Sequence, residues 1–130
     1  MLVGLFFVAI VVGCFIAYWP SYSDFYLLDD YKHLESTRGF VGAPLDLLKV
    51  LNPYFNGWYY RPTTYWFFTI AQGLFGVRPP AFYLALLAIH TINIVLVFAL
   101  ARRLGIGRLA ALCAAAVFAI TVPNQDVLGW

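Results

Sequence analysis

Charged residues are scarce in this sequence. Only 11% of its 130 residues are Asp, Glu, Lys or Arg, and 63% are hydrophobic, whereas a soluble domain carries about 25% charged and about 45–50% apolar residues. This composition argues against a soluble globular domain, and it excludes intrinsic disorder, which requires low hydrophobicity and high charge. The net charge of +2 comes without a run of Lys or Arg that could follow a phosphate backbone, so no nucleic-acid partner is expected. The remaining class is a membrane protein, with the lipid bilayer as its partner.

Cysteine is equally scarce. Cys14 and Cys113 lie in separate apolar runs, where a thiol usually acts as a small hydrophobic group. They form neither a disulfide framework nor a metal-binding spacing. No Lys or Arg precedes the first apolar run, which therefore does not have the pattern of a cleaved secretory signal.

Three apolar runs are candidates for membrane-spanning helices. Residues 2–19 carry no charge and would reach about 27 Å as a helix, close to the thickness of a hydrocarbon core. Residues 80–101 form a stronger candidate that ends at a pair of arginines, and residues 105–122 form an Ala-rich third one. The sequence therefore predicts an all-α, polytopic integral membrane protein with about three transmembrane helices.

The long segment between the first two spans, residues 20–79, is predicted to be an outer loop with helices at the membrane surface. One interfacial helix is expected near residues 44–51, where Asp46 and Lys49 are i,i+3 neighbours among leucines. A second is expected over residues 62–77, a very aromatic stretch that is too short to cross the bilayer.

Three arginines set the predicted orientation. Arg102, Arg103 and Arg108 lie between the second and third spans, and by the positive-inside rule they place that loop in the cytoplasm. The amino terminus is then cytoplasmic, and residues 123–130 begin a second outer loop. Because the chain ends soon after an outward-going span, we expect it to be the N-terminal fragment of a longer polytopic protein.

Asp29 and Asp30 are the sharpest candidate site residues. Two adjacent carboxylates close to a membrane face could take a proton from an acceptor hydroxyl or hold a divalent cation. The alternative is a solvated turn without a chemical role, which the local sequence alone favours. His33 lies nearby, but no second His or Cys completes a zinc set.

Arg61, in the segment Tyr60-Arg61-Pro62, is the second candidate. A guanidinium among aromatic rings at an interface suits the oxygens of a lipid phosphate. An ordinary interfacial anchor is an equal alternative.

Polar residues also occur within and after the apolar runs. His90 and Asn93 lie i,i+3 on the strongest span, and polar groups inside a membrane usually face the interior of a helix bundle. Hydrogen bonding between helices is the favoured alternative to a binding role for them. Asp126 follows the third span and would lie on the same outer side as the acidic pair.

The order of these features resembles the N-terminal part of the GT-C superfamily of polytopic glycosyltransferases, in particular its protein O-mannosyltransferase-like and aminoarabinose-transferase-like bacterial members. Four loose motifs carry the likeness and together cover nearly the whole chain. In chain order they are Asp29-Asp30 after the first span; Tyr60-Arg61-Pro62 opening an aromatic helix that ends in Leu74-Phe75-Gly76; a span with His90 and Asn93 that closes on Ala101-Arg102-Arg103-Leu104-Gly105; and an Ala-rich span followed by Pro123 and Asp126.

The resemblance implies an enzyme of the bacterial inner membrane. Such an enzyme takes a sugar from a polyprenyl-phosphate-linked donor and transfers it to a protein or glycolipid acceptor on the periplasmic or extracellular face. The alternative function is that of a non-catalytic polytopic protein, either a transporter or an assembly subunit. The isolated fragment is expected to be inactive in either case.

The resemblance also implies roles for the candidate residues. Asp29 or Asp30 would act as the catalytic base or orient the acceptor, and the likeness does not decide between them. Asp126 falls where some relatives carry an acidic motif that helps to bind a metal ion or the acceptor, and a divalent metal ion is the one cofactor considered. The candidate substrate-binding residues are Tyr60, Arg61, His90 and Asn93.

Overall fold

The computed structural model describes residues 2–17, 28–55 and 60–121. Within these ranges every regular element is helical, which confirms the all-α prediction for them. The elements are α1 (Leu2–Ala17), α2 (Leu28–Val41), a 3-10 helix (Pro44–Leu51), α3 (Pro62–Phe75), α4 (Pro79–Arg103) and α5 (Arg108–Ile120). Residues 1–24 and 83–130 form one compact unit, here called the bundle unit, and residues 25–82 form a second, called the loop unit.

Among the described residues, α4 is the one helix long and apolar enough to cross a membrane. Its 25 residues extend about 37 Å, more than the roughly 30 Å of a hydrocarbon core. Only 22% of its most apolar stretch is buried, whereas a helix that is apolar all round in a soluble protein lies inside the core. Length, composition and exposure together indicate a helix that associates with a membrane.

The other two apolar helices are shorter than the spans predicted from the sequence. α1 has 16 residues and α5 has 13, which correspond to about 24 Å and about 20 Å of helix. Positions 18, 19 and 122 of the predicted spans lie outside the described residues. Within the described part of the chain, one of the three predicted spans therefore meets the length criterion.

The loop between α4 and α5 explains why the third apolar helix starts after the predicted position 105. Gly105 has a φ of +80°, a conformation that suits glycine at a helix end. The N–H of Ile106 donates to the carbonyl of Ala101 at 3.1 Å, and the N–H of Gly105 donates to Arg102 at 3.2 Å. This pair of bonds is a Schellman motif, which ends α4. Gly107 then takes the N-cap position of α5.

A stripe of small residues lets α5 pack closely in the bundle unit. Ala111, Ala115 and Ala119 are spaced by four residues, so they share one face of the helix, and each is at most 1% exposed. Small side chains allow neighbouring backbones to approach. The thiol of Cys14 on α1 accordingly lies 4.0 Å from the carbonyl oxygen of Ala119.

In the loop unit, aromatic rings join α2 to α3. His33 and Phe40 are two turns apart on α2, and their rings lie 6.3 and 6.4 Å, between centroids, from the ring of Tyr65 on α3. The buried core of the loop unit contains Leu34, Phe68, Ala71 and Phe82.

Helix α2 was not predicted from the sequence. Residues 28–41 belong to the polar part of the predicted outer loop, before its first predicted helix. Most of the surface of α2 is polar, and it contains Gly39, a residue type that is common in turns. Its buried face contains Leu34 and Thr37. The hydroxyl of Thr37 donates to the carbonyl of His33 at 2.7 Å, so a polar side chain fits an apolar interface and hides the helical periodicity.

The two helices predicted for residues 44–51 and 62–77 are present with corrections. The first is a 3-10 helix, in which the predicted i,i+3 neighbours Asp46 and Lys49 form an ion pair at 2.8 Å. The second, α3, ends at Phe75, two residues early. Gly76 takes its C-cap with a φ of +64°, and the N–H of Gly76 donates to the carbonyl of Gln72 at 2.9 Å.

Candidate functional site

The acidic pair lies at the start of a helix and not in a solvated turn. Asp29 and Asp30 fall in the first turn of α2, where negative charge is favourable because the backbone N–H dipoles point toward that end. The side chain of Asp30 is half-buried. The side chain of Asp29 lies outside the described part of the structure.

His33 lies one turn after Asp30 and faces α3. Its ring packs on Phe68 with 5.2 Å between centroids and meets the edge of Tyr65 at 6.3 Å. Because residues three apart on a helix are neighbours, the imidazole stands between the acidic turn and the aromatic core. Sequence reasoning gave His33 only a weak metal-binding role, although its spacing from Asp30 was a usable signal.

Arg61 is the N-cap residue of α3, and Pro62 is the first residue of the helix. Proline fits this position because its missing N–H would have no partner within the helix. The first-turn N–H groups and the helix dipole make this end electropositive. The exposed guanidinium of Arg61 adds a full positive charge at the same point. The start of α3 is therefore suited to an anion such as a phosphate.

A small pocket lies beside Arg61. It offers about 10 Å³, which is room for about one water molecule. The residues that line it are Val50, Asn52, Pro53, Phe55, Tyr60, Arg61 and Tyr65. A sugar phosphate does not fit this space, so the pocket by itself is not a substrate site.

The acidic turn and Arg61 each lie one helical turn from the same ring contact. Asp30 is one turn before His33 on α2, and Arg61 is one turn before Tyr65 on α3. The rings of His33 and Tyr65 are 6.3 Å apart. A carboxylate, an imidazole and a guanidinium are thus carried by the two helices that meet at this contact.

Buried polar groups also join α2 to α3. The amide nitrogen of Gln72 donates to the carbonyl of Leu34 at 3.2 Å, a bond that joins α3 to α2. The hydroxyl of Thr69 and the Oε1 atom of Gln72 are buried with no hydrogen-bond partner among the described residues, which is uncommon in folded proteins. Sequence reasoning singled out none of these residues, because an isolated Thr or Gln in an apolar helix carries no pattern.

His90 and Asn93 point in different directions. His90 is buried, and its Nε2–H donates to the carbonyl of Ala119 on α5 at 3.2 Å, since a carbonyl oxygen can only accept. Its ring also stacks on Phe118 with 5.7 Å between centroids. Asn93 is exposed, because it precedes the buried Ile94 and lies about 100° away from it around the helix. His90 thus makes the hydrogen bond between helices that the sequence favoured, and Asn93 does not share that face.

The predicted metal ligand, Asp126, lies outside the described residues. Within the described ranges, no group of three or more His, Cys, Asp or Glu side chains could hold a metal ion. Asp30 and His33 supply two donor groups one turn apart. Two donors are fewer than a protein zinc site requires, but Mg²⁺ is commonly held by one or two carboxylates together with substrate phosphates.

Comparisons with known proteins returned no match to a family model, to a curated protein or to a solved structure.

Proposed function

We propose that this chain is the N-terminal membrane region of a glycosyltransferase that takes a sugar from a polyprenyl-phosphate-linked donor at the outer face of a membrane. The observation that carries the proposal is the contact between the ring of His33, one turn after the acidic first turn of α2, and the ring of Tyr65, one turn after Arg61 on α3. The motif order of the sequence supports the same assignment.

The chemistry of the reaction matches these groups. Breaking the bond between a sugar and a phosphate leaves negative charge on the phosphate, which a guanidinium and a helix N-terminus stabilise. A carboxylate can accept the proton that the acceptor hydroxyl loses. In this proposal Arg61 binds the donor phosphate, and Asp29 or Asp30 is the base. A divalent ion, if bound, would be held by the carboxylates of the acidic turn and would neutralise charge on the donor phosphate.

The proposed enzyme is polytopic and lies in the bacterial inner membrane. α4 supplies one span, and the apolar helices α1 and α5 would supply two more. Arg102 and Arg103 lie in the last turn of α4, and Arg108 opens α5. Their position favours a cytoplasmic loop between the two helices and an outward-facing loop unit.

The donor's phosphate is the group to test first. A photoreactive polyprenyl-phosphate sugar, added to membranes that contain the full-length protein, is expected to label the loop unit. Polyprenyl phosphate should abolish this labelling, and polyprenol of the same chain length should compete at least tenfold more weakly, because the guanidinium and the helix end recognise the phosphate. Peptide mapping by mass spectrometry locates the label. Equal competition by the two lipids would show that only the hydrocarbon chain is bound.

The topology gives a second prediction. In the full-length protein with Cys14 and Cys113 replaced by alanine, a single cysteine at Ser36 should react with a membrane-impermeant maleimide added outside the cell. A single cysteine at Gly107 should react only after the membrane is permeabilised. Both positions are exposed, and a Cβ at Gly107 meets no atom within 4 Å, so neither label disturbs packing. Reaction of both cysteines from the same side would overturn the proposed orientation.

A further inference from the structure

The loop unit has one polar side and one apolar side. Most of the exposed side chains of α2 are polar, among them Lys32, Glu35 and Ser36, and Tyr31 and Val41 are its exposed large hydrophobic ones. On α3, by contrast, the exposed side chains include Ile70 and Leu74, the latter 71% exposed. A two-layer unit that offered both outer sides to water would carry polar residues on each of them.

An exposed apolar stripe runs along α3. Trp66, Ile70 and Leu74 are spaced by four residues, so they follow one face of the helix. The buried residues Tyr65 and Phe68 lie on the opposite face, and the rings of both contact the ring of His33 on α2. The stripe is therefore an exposed outer face of the loop unit and is not part of its core.

The 3-10 helix carries a second exposed apolar stripe. With three residues per turn, Leu45, Leu48 and Leu51 lie directly above one another, and all three are exposed, Leu45 to 81%. The indole N–H of Trp66 donates to the carbonyl of Leu47 at 3.4 Å, which joins the 3-10 helix to α3. We name the six side chains the leucine–tryptophan face: Leu45, Leu48, Leu51, Trp66, Ile70 and Leu74.

We propose that the leucine–tryptophan face is immersed in the lipid leaflet at which α4 enters the membrane, while α2 remains in water. The continuity of the chain identifies lipid as the occupant. α3 ends at Phe75 and α4 begins at Pro79, so only three residues separate the two helices. The proposal places the membrane boundary at the first turn of α4, and the last turn of α3 then lies at the same boundary between water and hydrocarbon.

This inference goes beyond the proposed reaction and does not require it. It states which side of the loop unit lies in lipid and which side lies in water. Arg61 lies just before the first residue of the stripe on α3, so an immersed face would hold its guanidinium at the level of the lipid phosphates. The polar side of α2 would then face the aqueous phase.

Fluorescence quenching of single-cysteine variants tests the proposed depth. The full-length protein, with Cys14 and Cys113 replaced by alanine, is labelled at Leu48→Cys or Ile70→Cys and reconstituted in phosphatidylcholine vesicles. Lys49→Cys is the matched control, because the side chain of Lys49 is 61% exposed, Leu48 is 60% exposed, and both lie on the same 3-10 helix. Glu35→Cys reports the polar side, and Leu96→Cys on α4 reports the membrane interior.

Labels at positions 48, 70 and 96 are expected to be quenched several-fold more strongly by doxyl-labelled lipid than labels at positions 35 and 49. Iodide in the water should give the reverse order. Iodide quenching at positions 48 and 70 equal to that at position 49 would show the face in water and overturn the inference alone. Protection from both quenchers would show that polypeptide covers the face and would also overturn it. A label at position 96 that iodide quenches and doxyl lipid does not would overturn the membrane assignment of α4 as well.

Discussion

Replacing one residue of the acidic pair by asparagine is expected to lower the turnover of the full-length protein by about 10²–10⁴-fold, the usual cost of losing a general base. Asp29→Asn and Asp30→Asn should be assayed separately with a lipid-linked sugar donor. The amide keeps the size of the carboxylate and its place in the first turn of α2 but cannot accept the acceptor's proton. If one variant loses turnover and the other keeps it, the inactive variant identifies the residue that acts as the base.

Glu35→Gln is the matched control for this pair. Glu35 lies on the same helix, is exposed, and undergoes the same chemical change. Surface substitutions of this kind alter stability by less than about 0.5 kcal/mol, so its turnover should stay near that of the unmodified protein. Near-normal turnover in both asparagine variants would show that the acidic turn carries no catalytic carboxylate.

The same variants distinguish a base from a cation-holding residue. If a carboxylate holds Mg²⁺ against the donor phosphate, its replacement weakens metal binding, and a higher Mg²⁺ concentration should restore part of the turnover. Loss of the proton acceptor is not restored by metal. A Mg²⁺ titration of each variant therefore assigns its role without a change of substrate.

Strong hydrophobic patterns made most of the helices predictable. The apolar run of α4 and the aromatic run of α3 gave helices within two residues of the predicted ends. The helices end where glycines take conformations that composition does not reveal, such as the φ of +80° at Gly105. α2 could not be predicted from periodicity, since Thr37 lies on its buried face with its hydroxyl satisfied by the helix's own backbone.

The candidate site was only partly visible in the sequence. Asp30 and Arg61 could be named because acids and arginines are rare in this chain. Their link through the contact of His33 with Tyr65 could not, because that contact depends on how α2 packs on α3. His90 and Asn93 show the limit of spacing alone. The buried positions of α4 are Phe82, Tyr83, Leu87, His90, Ile94 and Ala101. From Tyr83 onward they follow in steps of three, four and seven residues, which include His90 but leave Asn93 outside.

His90 also bears on the choice between an enzyme and a transporter. A transporter commonly uses ionisable groups near the middle of the membrane to bind its substrate or coupling ion. The Nε2 proton of His90 is held by the carbonyl of Ala119, and its ring lies on Phe118. These contacts give His90 a role in joining α4 to α5, which is not the role that a transporter would require of it.

Arg61→Lys is expected to weaken binding of the polyprenyl-phosphate donor by about tenfold or more. A lysine keeps the positive charge at the start of α3 but replaces the planar guanidinium, which can bond two phosphate oxygens at once, with a single point charge. Hydrogen bonds to charged groups contribute about 1.5–3 kcal/mol, and the loss of about 1.4 kcal/mol corresponds to a tenfold change in affinity. Arg61→Gln, which also removes the charge, should bind donor more weakly still.

Arg78→Lys supplies the control, because Arg78 also precedes a proline that opens a helix, here α4. Its replacement should leave donor affinity unchanged if recognition belongs to Arg61 and not to every Arg-Pro helix start. Direct donor binding and turnover should be measured together. A change in KM with constant kcat would place Arg61 in ground-state binding, whereas an equal fall in kcat and kcat/KM would place it on the leaving phosphate in the transition state. Unchanged donor affinity in Arg61→Lys, or equal losses in the two lysine variants, would reduce Arg61 to an interfacial anchor.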